Sequence, residues 1–153
     1  MPNATLGDVY PANFFSVDLG AFQVETVQSV STPTLQIQVV ETRQLSSIGE
    51  PIVRKQPAYG PQSGEITITR GQDKSRAFTD WIYTCLDEKD IDAARQPVTI
   101  TQYDTKRNPV LRYHLTNAWA SQLTGPGLEA TNNNAATEQV TLTYEDVSVE
   151  RVS

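Results

Sequence analysis

The chain is poor in the residue types that carry most enzyme chemistry. Among 153 residues there is one Cys, one His and one Met. A lone cysteine, Cys85, cannot close an internal disulfide, so no disulfide scaffold supports the fold and a reducing compartment is expected. A lone histidine, His114, excludes sites built on two or more imidazoles, and with one Cys it excludes ordinary structural zinc sites. Positive charge is also scarce: 12 Lys+Arg stand against 18 Asp+Glu, a net charge of −6. That balance argues against nucleic-acid binding through clustered phosphate contacts. No run approaches the roughly 20 apolar residues of a membrane span, so no membrane anchor is expected. The opening Met1-Pro2-Asn3-Ala4-Thr5 has no basic segment followed by an apolar run and is not read as a signal peptide. Without an export signal, the glycosylation pattern Asn3-Ala4-Thr5 reads as chance.

What is present is alternation. The length suits a single domain over residues 1–153. Seven stretches alternate apolar and polar side chains: Asn13 to Leu19, Phe22 to Val30, Leu35 to Thr42, Glu65 to Arg70, Val98 to Thr101, Leu111 to Leu115 and Val140 to Tyr144. Period-two alternation predicts strands with one face in a core and one in a polar setting. One segment has a different period. Phe78, Trp81, Ile82, Cys85 and Leu86 fall at i, i+3, i+4, i+7 and i+8, the apolar stripe of a helix of about three turns. Asp73 or Ser75 is placed to cap its start. The expected fold is therefore mainly β: an antiparallel barrel or sandwich of about seven strands with one helix packed on it. Such a sheet has open edges unless it closes on itself or pairs with neighbours.

The segment from Arg43 to Gly64 is read as a long extended loop, with Gly49, Pro51, Pro57, Gly60 and Pro61 in it. Loops of this length in compact domains are often functional. Thr124-Gly125-Pro126-Gly127 and Thr131 to Thr137 are irregular links, and Tyr103 to Pro109 reads as a hairpin loop.

No catalytic constellation emerges. His114 sits in Arg112-Tyr113-His114-Leu115 as a polar-face strand residue, with no motif supplying a nucleophile and an orienting carboxylate. Cys85 lies on the helix stripe among Asp80, Asp87 and Glu88, the opposite of the electropositive setting that activates a thiol. Asp87, Glu88, Asp90 and Asp92 form an acidic run, but a calcium loop needs Gly at its sixth position, and counting from Asp87 that position is Asp92. Neither metal, cofactor nor enzymatic activity is expected. A ligand-binding β-sandwich, with Trp119 and Tyr103 as exposed aromatics, stays open as a different class of reading.

The order of segments resembles the tail tube proteins of contractile-tailed phages and phage-like contractile injection systems. The resemblance rests on Asn13-Phe14-Phe15-Ser16-Val17-Asp18, then Gly20-Ala21-Phe22-Gln23-Val24, and on Leu35 to Glu41 before a long loop with Arg54-Lys55-Gln56-Pro57. It continues through Gly64-Glu65-Ile66-Thr67-Ile68-Thr69-Arg70-Gly71, Asp80-Trp81-Ile82, Asn117-Ala118-Trp119, Gly125-Pro126-Gly127-Leu128 and Glu138 to Leu142. It implies a structural subunit of hexameric rings, stacked into a hollow tube that a contracting sheath drives through a target envelope. It also implies sheath, baseplate or tube-initiator, and terminator partners, with DNA or effector proteins as cargo in the lumen. Assembly would take place in the bacterial cytoplasm. A tube-initiator paralogue at the baseplate is the alternative within the family.

On this resemblance the 43–64 loop reaches a neighbouring subunit or ring through Ile48, Gly49, Ile52, Val53, Arg54, Lys55 and Tyr59. Gln36, Gln38, Glu65, Thr67 and Thr69 are the candidate lumen-facing residues of a polar, net-acidic channel. Phe78, Trp81, Ile82, Cys85 and Leu86 pack the helix.

Overall fold

Two residue patterns organise the computed structural model, which describes residues 9–152 apart from positions 25, 88, 90 and 132. Asn3-Ala4-Thr5, Glu88 and Asp90 lie outside the described residues. The first pattern is Ile/Val/Leu alternating with Thr, and it makes strands. These are β1 (Phe15–Asp18), β2 (Ser29–Val30), β3 (Gln38–Leu45), β4 (Pro51–Ala58), β5 (Gly64–Gly71), β6 (Gln96–Tyr103), β7 (Pro109–Thr124), β8 (Thr137–Tyr144) and β9 (Asp146–Arg151). The second is the helical stripe, which makes α1 (Ala77–Leu86), followed by the single turn α2 (Ile91–Ala94).

Seven strands form one antiparallel sheet in the order β1-β6-β7-β8-β5-β2, with β9 also on β7. The long β7 makes this sheet two layers. Its first half pairs with β6 and β9, and its second half, from Trp119 on, pairs with β8. The break falls at Asn117, a non-glycine residue at φ 52°. Its side-chain amide donates to Glu145 Oε2 at 2.9 Å, and Glu145 separates β8 from β9. A bulged residue in the left-handed region re-aims a strand, and here it carries the ribbon from one layer to the other.

The core lies between the layers. Val17, Val98, Ile100 and Leu115 come from one, Ile66, Ile68, Val140 and Leu142 from the other, and α1 adds Phe78 and Trp81. The Trp81 ring stacks on Phe22 with centroids 5.0 Å apart, and its indole N–H donates to the Ala94 carbonyl at 2.7 Å. Ile82 and Cys85 are half-buried against this core, and burial pushes the Cys85 thiol up from its ordinary pKa. Leu86 departs from the expected stripe. It is the last residue of α1 and 69% exposed. At the start of α1, Arg76 occupies the cap position without a side-chain bond, Ser75 Oγ accepts from the Ala77 N–H at 3.4 Å, and Asp73 accepts from the Ser75 N–H and from Arg70.

Three segments differ from the sequence reading. Among the described residues of the Phe22–Val30 stretch, only Ser29–Val30 is a strand. The Gln23 side chain accepts from Leu19 N–H and donates to the Val17 and Val24 carbonyls, a local competition that draws backbone groups away from a ladder. The alternating run Asp146 to Arg151 is an additional strand, β9. Finally, the 43–64 segment is mostly not loop: β3 and β4 form a two-stranded hairpin that holds its own sheet, with Gln38 opposite Ala58 and Leu45 opposite Pro51.

Candidate functional site: a projecting hairpin and a polar sheet face

An isolated two-stranded ribbon has no layer to cover either face. Leu35, Ile37 and Val39, whose alternation suggested a half-buried strand, are 55%, 64% and 64% exposed. Leu45, Ile48 and Val53 are 74%, 77% and 52% exposed. Two-stranded hairpins are marginal alone in water, and scattered apolar residues gathered on one become a contact surface.

The tip is nevertheless well ordered. Ser46 Oγ accepts from the Ile48 and Glu50 backbone N–H groups, and Ser46 and Glu50 close the turn through their backbones. Gly49 sits at φ 84°, where a side chain is strained. The register spreads the candidate contact residues over both faces. Val53 and Lys55 lie opposite Arg43 and Glu41, while Ile52 and Arg54 lie opposite Gln44 and Thr42. Tyr59 stands beyond β4 at the root and is 91% exposed.

The candidate lumen residues separate into two groups. Glu65, Thr67 and Thr69 share the face of β5 that points away from Ile66, Ile68 and Arg70. The register extends this face across β8 and the second half of β7: Glu65 meets Thr143 and then Trp119, Thr67 meets Thr141 and then Gln122, and Thr69 meets Gln139 and then Thr124. Thr143 Oγ1 donates to Ser121 Oγ at 2.9 Å, and Ser121 Oγ donates to the Thr141 carbonyl. The face is thus hydroxyl- and amide-rich, with Glu65 its one carboxylate on these strands. Gln36 and Gln38 are not on this face. They sit at the hairpin root and meet Glu65 and Tyr144 around a cleft of about 480 Å³. Beside it, a Cβ on Gly64 would stand 2.7 Å from the Tyr144 hydroxyl, so the close approach requires glycine.

This second layer is open laterally. Trp119 to Thr124 of β7 pair only with β8 among the described residues, and β2 covers only the Ile68–Thr69 stretch of β5 by strand pairing.

One further polar cluster lies on the other layer. Sequence reasoning found no carboxylate for His114, yet β9 supplies one: His114 Nε2 stands 2.9 Å from Glu150 Oε2, with Arg112 on the same carboxylate at 3.9 Å. Thr99 Oγ1 lies 3.4 Å from His114 Nδ1. A Thr–His–Glu line can mimic a catalytic relay, but this one sits on an open sheet face, and neither large cleft is lined by any of the three. The His114 hydrogen bond, with help from Arg112, holds the Glu150 carboxyl below the usual glutamate range. A depressed carboxylate contributes its contact above the ordinary glutamate pKa and loses it as pH falls through the depressed value. Carboxyl NMR is expected to show Glu150 titrating below ordinary glutamates, and to show it moving back up in His114→Ala. An unshifted Glu150 in the unaltered protein would show that the contact does not persist in solution.

The family model of the T4-like virus tail tube protein gp19 matches residues 11–148. The chain belongs to the T4-like tail tube protein family. No curated protein sequence matches it. Among solved structures, it is similar to a chain in the anti-feeding prophage cap (AFP tube terminating cap), with TM-score 0.73 and 24% identity over 97% of this chain and 99% of that one. It is similar to the same degree, TM-score 0.73 and 24% identity over 94% and 93%, to a chain in the sheath-tube complex of an extracellular contractile injection system, PVC, in its extended state. Hcp1 from Flavobacterium johnsoniae shares the fold more distantly, at TM-score 0.54 and 14% identity over 91% of this chain and 96% of that one. These structures establish a tail tube fold: mainly β, antiparallel, with one main helix.

Proposed function

We propose that this chain is the repeating inner-tube subunit of a contractile tail or contractile injection system, closing into hexameric rings that stack into a hollow tube. The observation that carries this reading is the second layer, with an apolar face in the core, a hydroxyl- and amide-rich face outside it, and unpaired strands at both lateral edges. Open edges are a liability in a monomer. Rotational closure removes them, since each subunit's β7 edge then meets the β2/β5 edge of the next in a head-to-tail ring. The Glu65, Thr67 and Thr69 face becomes the lumen wall.

A wall of hydroxyls and amides keeps water in the channel and offers few charges for cargo to bind, so DNA or effector proteins pass without sticking. The β3–β4 hairpin, through Ile48, Ile52, Val53 and their neighbours, reaches the adjacent subunit or ring. Sheath outside, and baseplate and terminator proteins at the two ends, complete the set of partners. Assembly takes place in the bacterial cytoplasm, and the role is mechanical, with no enzymatic step.

Negative-stain microscopy with mass measurement of the purified chain tests this. Sixfold rings that stack into tubes are the expected result. A protein that stays monomeric at high concentration, even with its sheath and baseplate partners, rules the reading out. The length of the stacks separates a main tube subunit from a paralogue that starts or ends the tube, which forms single rings or short stacks.

A further inference from the structure

The hairpin tip offers an apolar knob, and the same chain carries a hole of matching chemistry. A cleft of about 580 Å³ opens between the free end of the β1–β6 pair and the segment around β2. Its floor is apolar and half-buried or buried: Phe15, Val27, Val30, Ile100 and Tyr113. Its rim, including Asn13 and Thr32, is polar and exposed. It has no charged side chain in its lining.

The tip from Leu45 to Gly49 is likewise uncharged, with Leu45 and Ile48 about three-quarters exposed. Two neutral surfaces can be desolvated without burying an unpaired charge. The Ser46 hydrogen bonds already order the tip, so docking gives up little conformational freedom.

We infer that Ile48, with Leu45 beside it, inserts into the Phe15–Val30–Ile100 cleft of another copy of this chain. This rests on the tube reading above and names the surface that receives the hairpin. A knob and a hole at different places on one subunit make a heterologous contact, which builds a ring or an open stack and not a closed two-fold pair. It also explains an otherwise costly arrangement, in which apolar side chains are held rigidly in water at the end of a ribbon.

Two single variants in a Cys85→Ala background, Ile48→Cys and Thr32→Cys, test the inference. Mixed under assembling conditions and oxidised, they are expected to yield a covalent dimer with one chain of each kind, identified as a 48–32 linked peptide by mass spectrometry. Since each chain carries one thiol, the link arises only between copies. Tubes visible by microscopy with no 48–32 link overturn the inference and leave the tube reading standing. An unaltered protein that stays monomeric even with its sheath and baseplate partners overturns the tube reading itself, and this docking with it. Independently, Ile48→Ser at the exposed tip leaves the fold intact and is expected to raise the concentration for half-assembly by about tenfold or more, from the aliphatic burial it removes. An unchanged concentration counts against insertion.

Discussion

Replacing residues 39–57 with the two-residue turn Asn-Gly is expected to leave a folded subunit that no longer stacks. The physical case is that the hairpin is built on the domain without being part of its core. Among the described residues its strands pair only with each other, and Val39, Leu45, Ile48 and Val53 are each more than half exposed. Removing exposed apolar groups takes away little burial, and away from core features substitutions usually stay within about ±0.5 kcal/mol. A shorter connection between Gln38 and Ala58 also lowers the entropy of closing that loop, by about 0.6 kcal/mol per halving of length. Asn-Gly suits the tight turn that joins these two partnered positions. Urea unfolding followed by circular dichroism should therefore give a midpoint close to that of the unaltered chain, while microscopy shows no stacks. Tubes that persist would show that the hairpin has no part in stacking. A collapse in stability would show that it belongs to the fold.

The largest expected loss of stability from one substitution of a charged residue is at Arg70. This side chain is 1% exposed. It bonds Glu138, its register partner on β8, and reaches Asp73 at 2.5 Å in the turn before α1. Its guanidinium lies over the Phe78 ring at 5.6 Å. One cation thus ties β5, β8 and the entrance to α1 together. Arg70→Ala leaves the Glu138 carboxylate buried without its partner, which is expected to cost about 3–5 kcal/mol.

The double variant Arg70→Met with Glu138→Leu is expected to recover most of that, because removing both charges also removes their desolvation and the Arg70 Nε that has no hydrogen-bond partner among the described residues. Chemical denaturation of the two variants measures the difference. A single substitution costing under about 1 kcal/mol, or a double as damaging as the single, would refute this account. The Arg70 bond and the Ser75 N–H hold the Asp73 carboxyl below its ordinary value. That contribution is present at neutral pH and is lost as pH falls through the depressed pKa.

How far the fold was legible differs element by element. β5, β8 and the first half of β7 were readable because one of their faces is covered by the opposite layer, which is the condition that makes alternation informative. The α1 stripe from Phe78 to Cys85 was readable for the same reason, and failed at Leu86, the exposed last residue of the helix. Leu35 to Val39 shows the limit. The alternation there is as regular as in β5, yet those side chains stand exposed, since no second layer packs on this segment among the described residues. Phe22 was read into a strand, but its ring is taken by Trp81 and the neighbouring backbone by Gln23. The polar face was half legible. Glu65, Thr67 and Thr69 could be grouped by parity, whereas their continuation through Thr141, Thr143, Gln122 and Trp119 depends on pairings between residues far apart in sequence.

By itself, the sequence determined the class of this protein. Its period-two alternation marked a mainly β domain with one helix, and the order of its segments carried the resemblance to tail tube proteins. Only the tertiary structure decided where the unspent surface lies. Strand register, the bend at Asn117 and the pairing of β3 with β4 arise from long-range contacts, and these determine that the sheet edges stay open, that the neutral polar face is continuous, and that the apolar tip and the apolar cleft lie on the same subunit.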